Sequence, residues 1–202
     1  ATEILLEFLI ENNIKATFFV VGDLARENKS LIKRIIANGH EIGCHSNKHK
    51  TLSQLNPKEF AMDLKENKNI LHDLGATNIF GFRAPRLTLN HLTKWVYDVL
   101  YDLGFKYSSS VVPTKNIYNN WFGFSNRPFQ ISKIWELPIT IFDIYYITIP
   151  IGGIYLRVLP HFLLKLASKI NSKNKSPLIS YIHPYDFDEK QSKTKLKDNA
   201  LQ

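Results

Sequence analysis

Hydrophobic residues recur along this chain at two spacings, and segments with the two spacings follow one another. Apolar positions three and four residues apart predict helices, which cover 2–13, 28–38, 57–74, 89–103 and 156–170. Short apolar runs bounded by turn residues predict strands, which cover 16–21, 41–44, 79–82, 105–109, 134–137 and 177–182. Alternation of helices and strands in this way predicts an α/β fold built on a parallel sheet.

The alternation is first interrupted over residues 112–133, where a loop-rich insertion carries several aromatic residues. A second irregular stretch precedes the helix predicted over 156–170. No internal repeat or linker divides the chain, and 202 residues suffice for one substantial hydrophobic core. We therefore predict one domain over 1–188 and a polar tail over 189–202.

Composition and charge narrow the classes of function. The net charge is +8, but many lysines lie in Lys- and Asn-rich stretches such as 169–175 and 190–197. This distribution indicates a compositional bias of the sequence rather than one basic face, so no nucleic-acid partner is expected. Cys44 is the only cysteine, which excludes an intrachain disulfide. No apolar run approaches the roughly 20 residues that span a bilayer. The sequence does not define an oligomeric state.

The start of the chain bears on location. It lacks an initiator Met and opens within a helical pattern, so we expect the protein to extend upstream of Ala1. The expected location is the cytoplasm or the membrane periphery, and an export signal upstream stays compatible with the sequence.

Two histidines follow the strand predicted at 41–44. In α/β sheets, functional groups gather beyond the carboxyl ends of the strands. His45 and His49 are four residues apart, a spacing that lets two imidazoles bind one cation. The alternative is a pair of polar loop residues that share no ligand, and two ligands alone leave a catalytic zinc site incomplete.

Two further strand ends carry candidate residues. Arg83 follows the strand at 79–82 and is suited either to holding a carboxylate or to an ordinary surface ion pair. His183 follows the strand at 177–182 and is either a general acid or a neutral structural histidine. All these residues are predicted to lie at one edge of the sheet.

Five strings in order resemble the polysaccharide deacetylase family (carbohydrate esterase family 4). They are ATFFVVG at 16–22, GHEIG at 39–43, HSNKH at 45–49, FRAPR at 82–86 and YIHP at 181–184. The resemblance runs from about Thr2 to Asp186. It is closest to the branch associated with exopolysaccharide biosynthesis, on the strings RAPR at 83–86, GGIYLRVLP at 152–160 and IHPYD at 182–186.

The resemblance implies a distorted (β/α)7-type barrel and a metal-dependent hydrolase, with Zn²⁺ as the expected ion. Its substrate would be an acetylated saccharide, from which it removes N-acetyl groups of amino sugars in bacterial polysaccharide metabolism. By the same resemblance, His45 and His49 are metal ligands and Arg83 holds the catalytic carboxylate. The backbone amide of Arg86 stabilises the oxyanion, and His183 protonates the departing amine.

The chain departs from the family in two places. The Asp-rich first motif, which supplies the base and the third metal ligand on the first barrel strand, would lie upstream of Ala1. We interpret the chain as lacking that strand because it is a fragment. Ser108 stands where the branch tends to have Asp, which affects the charges around the site.

Substrate contacts and alternative functions complete the expectations. Pro85, Tyr118 and Trp121 are candidate substrate-binding residues, because aromatic faces suit the apolar side of a sugar ring; the alternative is that the aromatic residues pack the insertion onto the barrel. Two other functions stay open. One is a cyclic-amide hydrolase on the same barrel, and the other is an inactive saccharide-binding remnant without the catalytic carboxylates.

Overall fold

The fold is organised around a mostly parallel sheet. The structure is a computed structural model that describes residues 1–113, 124–144, 147–173 and 176–187. In chain order the sheet strands are β1 (Thr17–Val20), β2 (Glu41–Cys44), β3 (Gly81–Phe82), β4 (Tyr107–Ser108), β5 (Phe129–Ile131) and β6 (Ile134–Glu136). They lie in the order β1-β2-β3-β4-β6-β5. All neighbours are parallel except β5, which pairs antiparallel with β6. The predicted parallel α/β sheet is confirmed.

The helices, in chain order, are α1 (Thr2–Glu11), α2 (Gly22–Glu27), α3 (Lys29–Ala37), α4 (Pro57–Asp73), α5 (Val96–Asp102), α6 (Ile154–Val158) and α7 (His161–Lys173). Helices α2 to α5 connect the parallel strands β1 to β4, while the other helices precede β1 or follow the main sheet in the chain. The sequence pattern missed α2, a six-residue helix too short to show helical periodicity. The helix predicted over 89–103 is instead a 3-10 turn at His91–Thr93 followed by α5. No helix in the described part of the chain has the length and hydropathy to cross a membrane.

The hydrophobic core lies between the sheet and α4 and α5. Phe60 of α4 packs edge-to-face on Phe82 of β3, with ring centroids 5.4 Å apart. Phe82 makes a similar contact with Phe105, at 6.3 Å. Cys44 is fully buried in the same cluster, as expected for a packing residue. Because these rings hold β3 and the residues directly before β4, the loops that follow those two strands leave the sheet from fixed positions.

The sheet of the described residues is open, and a closed barrel is not confirmed. Residues 177–182, predicted as a strand, form an isolated bridge between Gly152 and Tyr181 and backbone hydrogen bonds at Ile179 and Tyr181, but belong to no strand of the described sheet. Between this segment and β1 lies a cavity of about 550 Å³, lined in part by Phe19, Arg83 and Tyr181. Barrel closure depends on long-range strand pairing, which local sequence patterns do not encode.

The second irregular stretch of the sequence is ordered differently from expectation. It forms an antiparallel hairpin of two strands, β7 (Ile141–Ile144) and β8 (Ile147–Pro150), apart from the main sheet. The sequence between these strands contains no Gly or Asn that would mark a hairpin turn. The hairpin leads directly into α6 and α7.

Candidate active site

The two candidate metal ligands lie in one loop after β2. His45 follows the last residue of β2, and Ser46 and His49 take left-handed backbone conformations (φ +65° and +55°) that fold the loop back on itself. The two imidazole centroids are 5.0 Å apart. The predicted convergence of His45 and His49 is therefore present in the structure.

The protonation of His45 suits a metal ligand. Its Nδ1 lies 2.8 Å from the carbonyl oxygen of Arg83, so the Nδ1–H donates to that oxygen and the tautomer leaves Nε2 as an acceptor. Burial lowers the pKa of His45 to about 3. The imidazole is therefore neutral at physiological pH, as ligation requires.

Side chains of helix α4 hydrogen-bond the backbone of the loop that carries His45 and His49. The Asp63 carboxylate accepts hydrogen bonds from the backbone N–H of Asn47 (2.7 Å) and of Lys48 (3.3 Å). One turn on, the Asn67 side chain donates to the carbonyl oxygens of Ser46 (2.6 Å) and Val20 (3.0 Å). These bonds fix the backbone between the two histidines, so the spacing of the imidazoles depends on α4.

Arg83 points into the cavity beside β1. Its Nε donates to the Ser109 carbonyl oxygen (2.8 Å) and its Nη2 to the Ser109 hydroxyl (2.7 Å). The guanidinium carbon lies 4.4 Å from the centroid of the Phe19 ring. Among the described residues, Arg83 forms no ion pair with a carboxylate. Burial lowers its pKa to about 10, as expected for a cation taken out of water without a close anionic partner.

A buried carboxylate organises the loop that binds Arg83. Glu136 of β6 is fully buried and accepts hydrogen bonds from the backbone N–H of Ser110 (2.7 Å) and of Val111 (3.0 Å). The Tyr97 hydroxyl donates to its other oxygen at 3.1 Å. Ser108, the register partner of Glu136 on β4, donates to the Ser110 hydroxyl at 2.8 Å. An Asp in place of Ser108 would face the Glu136 side chain, so in this chain Glu136 supplies the buried carboxyl group of the region.

The Pro85–Leu87 turn carries the proposed oxyanion donor. Arg86 and Leu87 have left-handed backbone conformations, with φ of +54° and +52°. Pro85 is buried, whereas the Arg86 side chain is exposed. Burial lowers the pKa of His49, and the positive charge of Arg86 lowers it further. The turn is therefore close to the histidine loop.

His183 lies near the histidine loop, since its charge lowers the pKa of both His45 and His49. Its ring stacks on Tyr185, with centroids 4.7 Å apart, and its Nδ1 is 3.8 Å from the Asp186 carboxylate. Asp186 also accepts a hydrogen bond from the His183 backbone N–H at 2.9 Å. Burial lowers the pKa of His183, Asp186 raises it and Arg83 lowers it.

The predicted site residues are thus gathered at one edge of the sheet. His183 is near enough that its charge acts on the pKa of both His45 and His49. In the portions of the chain that the structure describes, no group of three or more His, Cys, Asp or Glu residues could hold a metal ion. His45 and His49 therefore fit two positions of a metal site and do not complete it. Tyr118 and Trp121 lie outside the described residues.

Comparison with known proteins identifies the family. A family model described as polysaccharide deacetylase matches residues 1–108, which is more than half of the chain. The chain belongs to the polysaccharide deacetylase family. A second model, described as a domain of unknown function (DUF3473), matches residues 109–200. His45, His49, Arg83 and Arg86 thus fall within the first match, and Glu136 and His183 fall within the second.

Curated relatives of this family member match only part of it. A peptidoglycan-N-acetylglucosamine deacetylase of Bacillus cereus is 36% identical over 70 residues, covering 35% of this chain and 26% of the relative. A chitooligosaccharide deacetylase of Sinorhizobium fredii is 33% identical over 81 residues, covering 40% of this chain and 38% of the relative. The matched segments therefore span well under half of these enzymes.

Solved structures share the fold of this deacetylase-family chain. A protein of Mycobacterium smegmatis described as a polysaccharide deacetylase aligns with a TM-score of 0.66 at 22% identity, covering 90% of this chain and 62% of that protein. A carbohydrate esterase family 4 pseudoenzyme of Bacillus anthracis aligns with a TM-score of 0.54 at 18% identity, covering 96% of this chain and 55% of that protein. Because the fold occurs in a pseudoenzyme, it does not itself establish catalysis.

Sequence reasoning missed the residues that hold the site in place. Asn67 occupies an apolar position in the helical stripe of α4, between Leu64 and Leu71, and is fully buried. A polar residue at such a position is a detectable signal, because a buried amide needs hydrogen-bond partners. Glu136 gives a similar signal, as an acidic residue within an apolar strand.

Proposed function

We propose that the protein is a metal-dependent N-deacetylase that hydrolyses the acetamido group of an amino sugar in a saccharide. The observation that carries the proposal is the gathering of His45, His49, Arg83 and His183 at one end of the sheet, with Arg83 also lining the adjacent cavity. Membership of the polysaccharide deacetylase family supports the same reaction class. The named relatives favour deacetylation over cyclic-amide hydrolysis.

In this proposal, His45 and His49 supply two nitrogen ligands to a divalent cation, with Zn²⁺ expected. A bound divalent cation lowers the pKa of water and polarises an amide carbonyl. His45 is suited to ligation because its Nδ1–H is held by the Arg83 carbonyl and its Nε2 is an acceptor. The third ligand is expected from the Asp-rich first motif of the family, which these 202 residues do not contain.

Arg83 and Arg86 act on two different negatively charged groups during the reaction. The buried guanidinium of Arg83 would orient the catalytic carboxylate, and its lack of an ion pair within the described chain is consistent with that task. The backbone N–H of Arg86 would donate a hydrogen bond to the oxygen that becomes negative as the carbonyl carbon turns tetrahedral.

His183 completes the proton transfers. The amine leaves as the C–N bond breaks, and it must gain a proton to do so. His183 would deliver that proton from one ring nitrogen, while stacking on Tyr185 and the adjacent Asp186 fix the orientation of the ring. The products are acetate and the free amino sugar.

The substrate class and setting rest on the sequence strings described above. We propose a bacterial envelope polysaccharide or exopolysaccharide as the substrate, a single catalytic domain over 1–188, and sugar contacts from Tyr118 and Trp121. Pro85 is buried in the structure, so its contribution would be to shape the Arg86 turn. The cytoplasm or the membrane periphery stays the proposed location.

A second candidate function is a saccharide-binding protein without catalysis. It is favoured by one observation, that the described residues contain no three-ligand metal cluster. The two candidates differ in turnover but share a saccharide groove. The structural similarity to a family 4 pseudoenzyme makes the distinction necessary.

Acetate release from chitooligosaccharides and from acetylated exopolysaccharide tests the proposal, using the full-length protein with Zn²⁺. We expect turnover, and we expect His183→Gln to lower kcat by about 100-fold or more with little change in KM. Saccharide binding without acetate release would instead support the binding protein. A His183→Gln loss confined to KM would contradict the general-acid role.

A further inference from the structure

The segment that contains α6 and α7 has basic residues but no acidic ones. Between Asp143 and Asp186 the sequence contains no Asp or Glu, whereas it contains Arg157, Lys165, Lys169, Lys173 and Lys175. This segment carries a formal charge of +5 out of the chain total of +8. The positive charge of the protein is therefore concentrated here, although it looked dispersed from composition alone.

The same two helices expose large apolar side chains. In α6, Ile154 and Val158 are each 64% exposed. In α7, Phe162 is 66% exposed and Leu166 is 43% exposed, whereas Ala167 on the inner side is 4% exposed. Helix α7 thus packs one face on the domain and leaves a second apolar stripe in solvent.

Lysines flank that stripe. Lys165 and Lys169 are exposed and follow Phe162 by three and seven residues, which puts all three on the same outer face of α7. We call the outer faces of α6 and α7, carrying these two lysines with Ile154, Val158, Phe162 and Leu166, the α6–α7 surface. It combines the two features of helices that lie in a membrane interface, exposed apolar side chains and adjacent basic residues.

We propose that the α6–α7 surface docks the protein onto an anionic membrane surface. The apolar residues enter the boundary between headgroups and acyl chains, while Lys165 and Lys169 contact lipid phosphates. A soluble acidic polymer would be attracted by the lysines but would not bury Phe162 or Ile154. A symmetric contact with a second copy would bring the same basic residues together, which opposes association.

The docking surface is physically joined to the His183 side of the candidate active site. Gly153, directly before α6, donates its backbone N–H to the carbonyl oxygen of Tyr181 at 2.8 Å. Arg157 of α6 lies 3.8 Å from the Asp186 carboxylate that adjoins His183. A protein docked through α6 and α7 would therefore hold that side of the cavity close to the membrane.

Vesicle co-sedimentation tests the proposal with the full-length protein. The probes are phosphatidylcholine vesicles with and without phosphatidylglycerol. Lys165→Gln/Lys169→Gln should weaken partitioning onto anionic vesicles by about 30-fold, and Phe162→Ser by roughly tenfold. The matched controls are Lys29→Gln/Lys33→Gln, with the same spacing on the exposed side of α3, and Met62→Ser, since Met62 is 63% exposed on α4.

The outcomes separate the membrane from other occupants. Binding that needs phosphatidylglycerol, weakens with salt and is lost in both α7 variants but in neither control supports the proposal. No partitioning onto anionic vesicles, or equal loss in the controls, overturns it. Loss of poly-glutamate binding in the lysine variant, with no effect of Phe162→Ser on vesicles, would overturn it in favour of an acidic polymer. A wild-type dimer that Phe162→Ser dissociates would overturn it in favour of a second copy.

Discussion

Glu136 offers a prediction that links stability to the architecture of the site. Its Oε1 accepts from two backbone amides, those of Ser110 and Val111, and its Oε2 accepts from the Tyr97 hydroxyl. Glu136→Ala leaves all three donors buried without a partner, and each unsatisfied buried group costs about 1–3 kcal/mol. The expected loss is about 4 kcal/mol or more, a large part of the roughly 5–15 kcal/mol that stabilises a domain.

Glu136→Gln is the matched control. The Gln side-chain oxygen can accept from the same two amides, so only the buried Tyr97 hydroxyl loses its acceptor. The expected cost is therefore about 1–3 kcal/mol, less than that of the Ala variant. Urea denaturation followed by far-ultraviolet circular dichroism measures both variants against the wild type. Equal damage from Gln and Ala would refute the assignment of Glu136 as an acceptor of backbone hydrogen bonds.

The difference in folding stability between the wild type and Glu136→Gln should depend on pH with a definite sign. Burial raises the pKa of Glu136 above its ordinary value of 4.5, so the folded protein holds this proton more tightly than the unfolded chain does. The contribution of Glu136 to stability therefore falls as pH rises from about 4.5 through the folded-state pKa. Glu136→Gln lacks this titration, so its stability relative to the wild type should rise across that window. A relative stability that falls with pH would contradict the raised pKa.

Three further predictions concern residues that hold the site. Asp63→Ala should weaken Zn²⁺ binding by about 10–100-fold in calorimetry of the full-length protein, because the backbone amides of Asn47 and Lys48 lose their acceptor. Asp63→Asn should recover part of that affinity. An unchanged Zn²⁺ affinity in Asp63→Ala would exclude the proposed role of α4. Gly22→Ala should cost about 2 kcal/mol or more in urea denaturation, because the new Cβ would overlap the buried Asn47 Oδ1, and a neutral change would show that the loop yields. Ser109→Ala should lower kcat by roughly tenfold with KM unchanged, because Arg83 loses one of its two hydrogen bonds to Ser109. A rise in KM alone would argue against the positioning of the catalytic carboxylate by Arg83.

The convergence of the site could be predicted from sequence because it follows from topology. Parallel strands end at one edge of a sheet, so polar residues directly after β2 and β3 must lie close together. His45 and Arg83 illustrate this, since the Arg83 backbone carbonyl oxygen accepts a hydrogen bond from the His45 ring. His183 lies near enough to act on the pKa of His45 and His49, although the strand predicted before it contains only an isolated bridge at Tyr181.

The hydrogen bonds that hold the site in place depend on contacts between segments that are distant in sequence. Asn67 lies 21 residues beyond Ser46, whose carbonyl it binds, and Glu136 lies 26 residues beyond Ser110. Neither pairing is visible as a local pattern. The β7–β8 hairpin lacked turn residues, and the exposure of Phe162 could not be separated from burial by helical periodicity alone, because α7 carries apolar residues on two faces. Sequence patterns identified the chemical groups, whereas tertiary packing determined how they are held.

The metal content of the full-length protein tests the central claim most directly. After loading with Zn²⁺ and removal of free ion, elemental analysis should find one zinc per chain in the wild type and none in His45→Ala/His49→Ala, with both proteins folded by circular dichroism. That result would confirm that the loop after β2 binds the metal. Stoichiometric zinc in the double variant, or a wild type that acquires none, would contradict the account of this site.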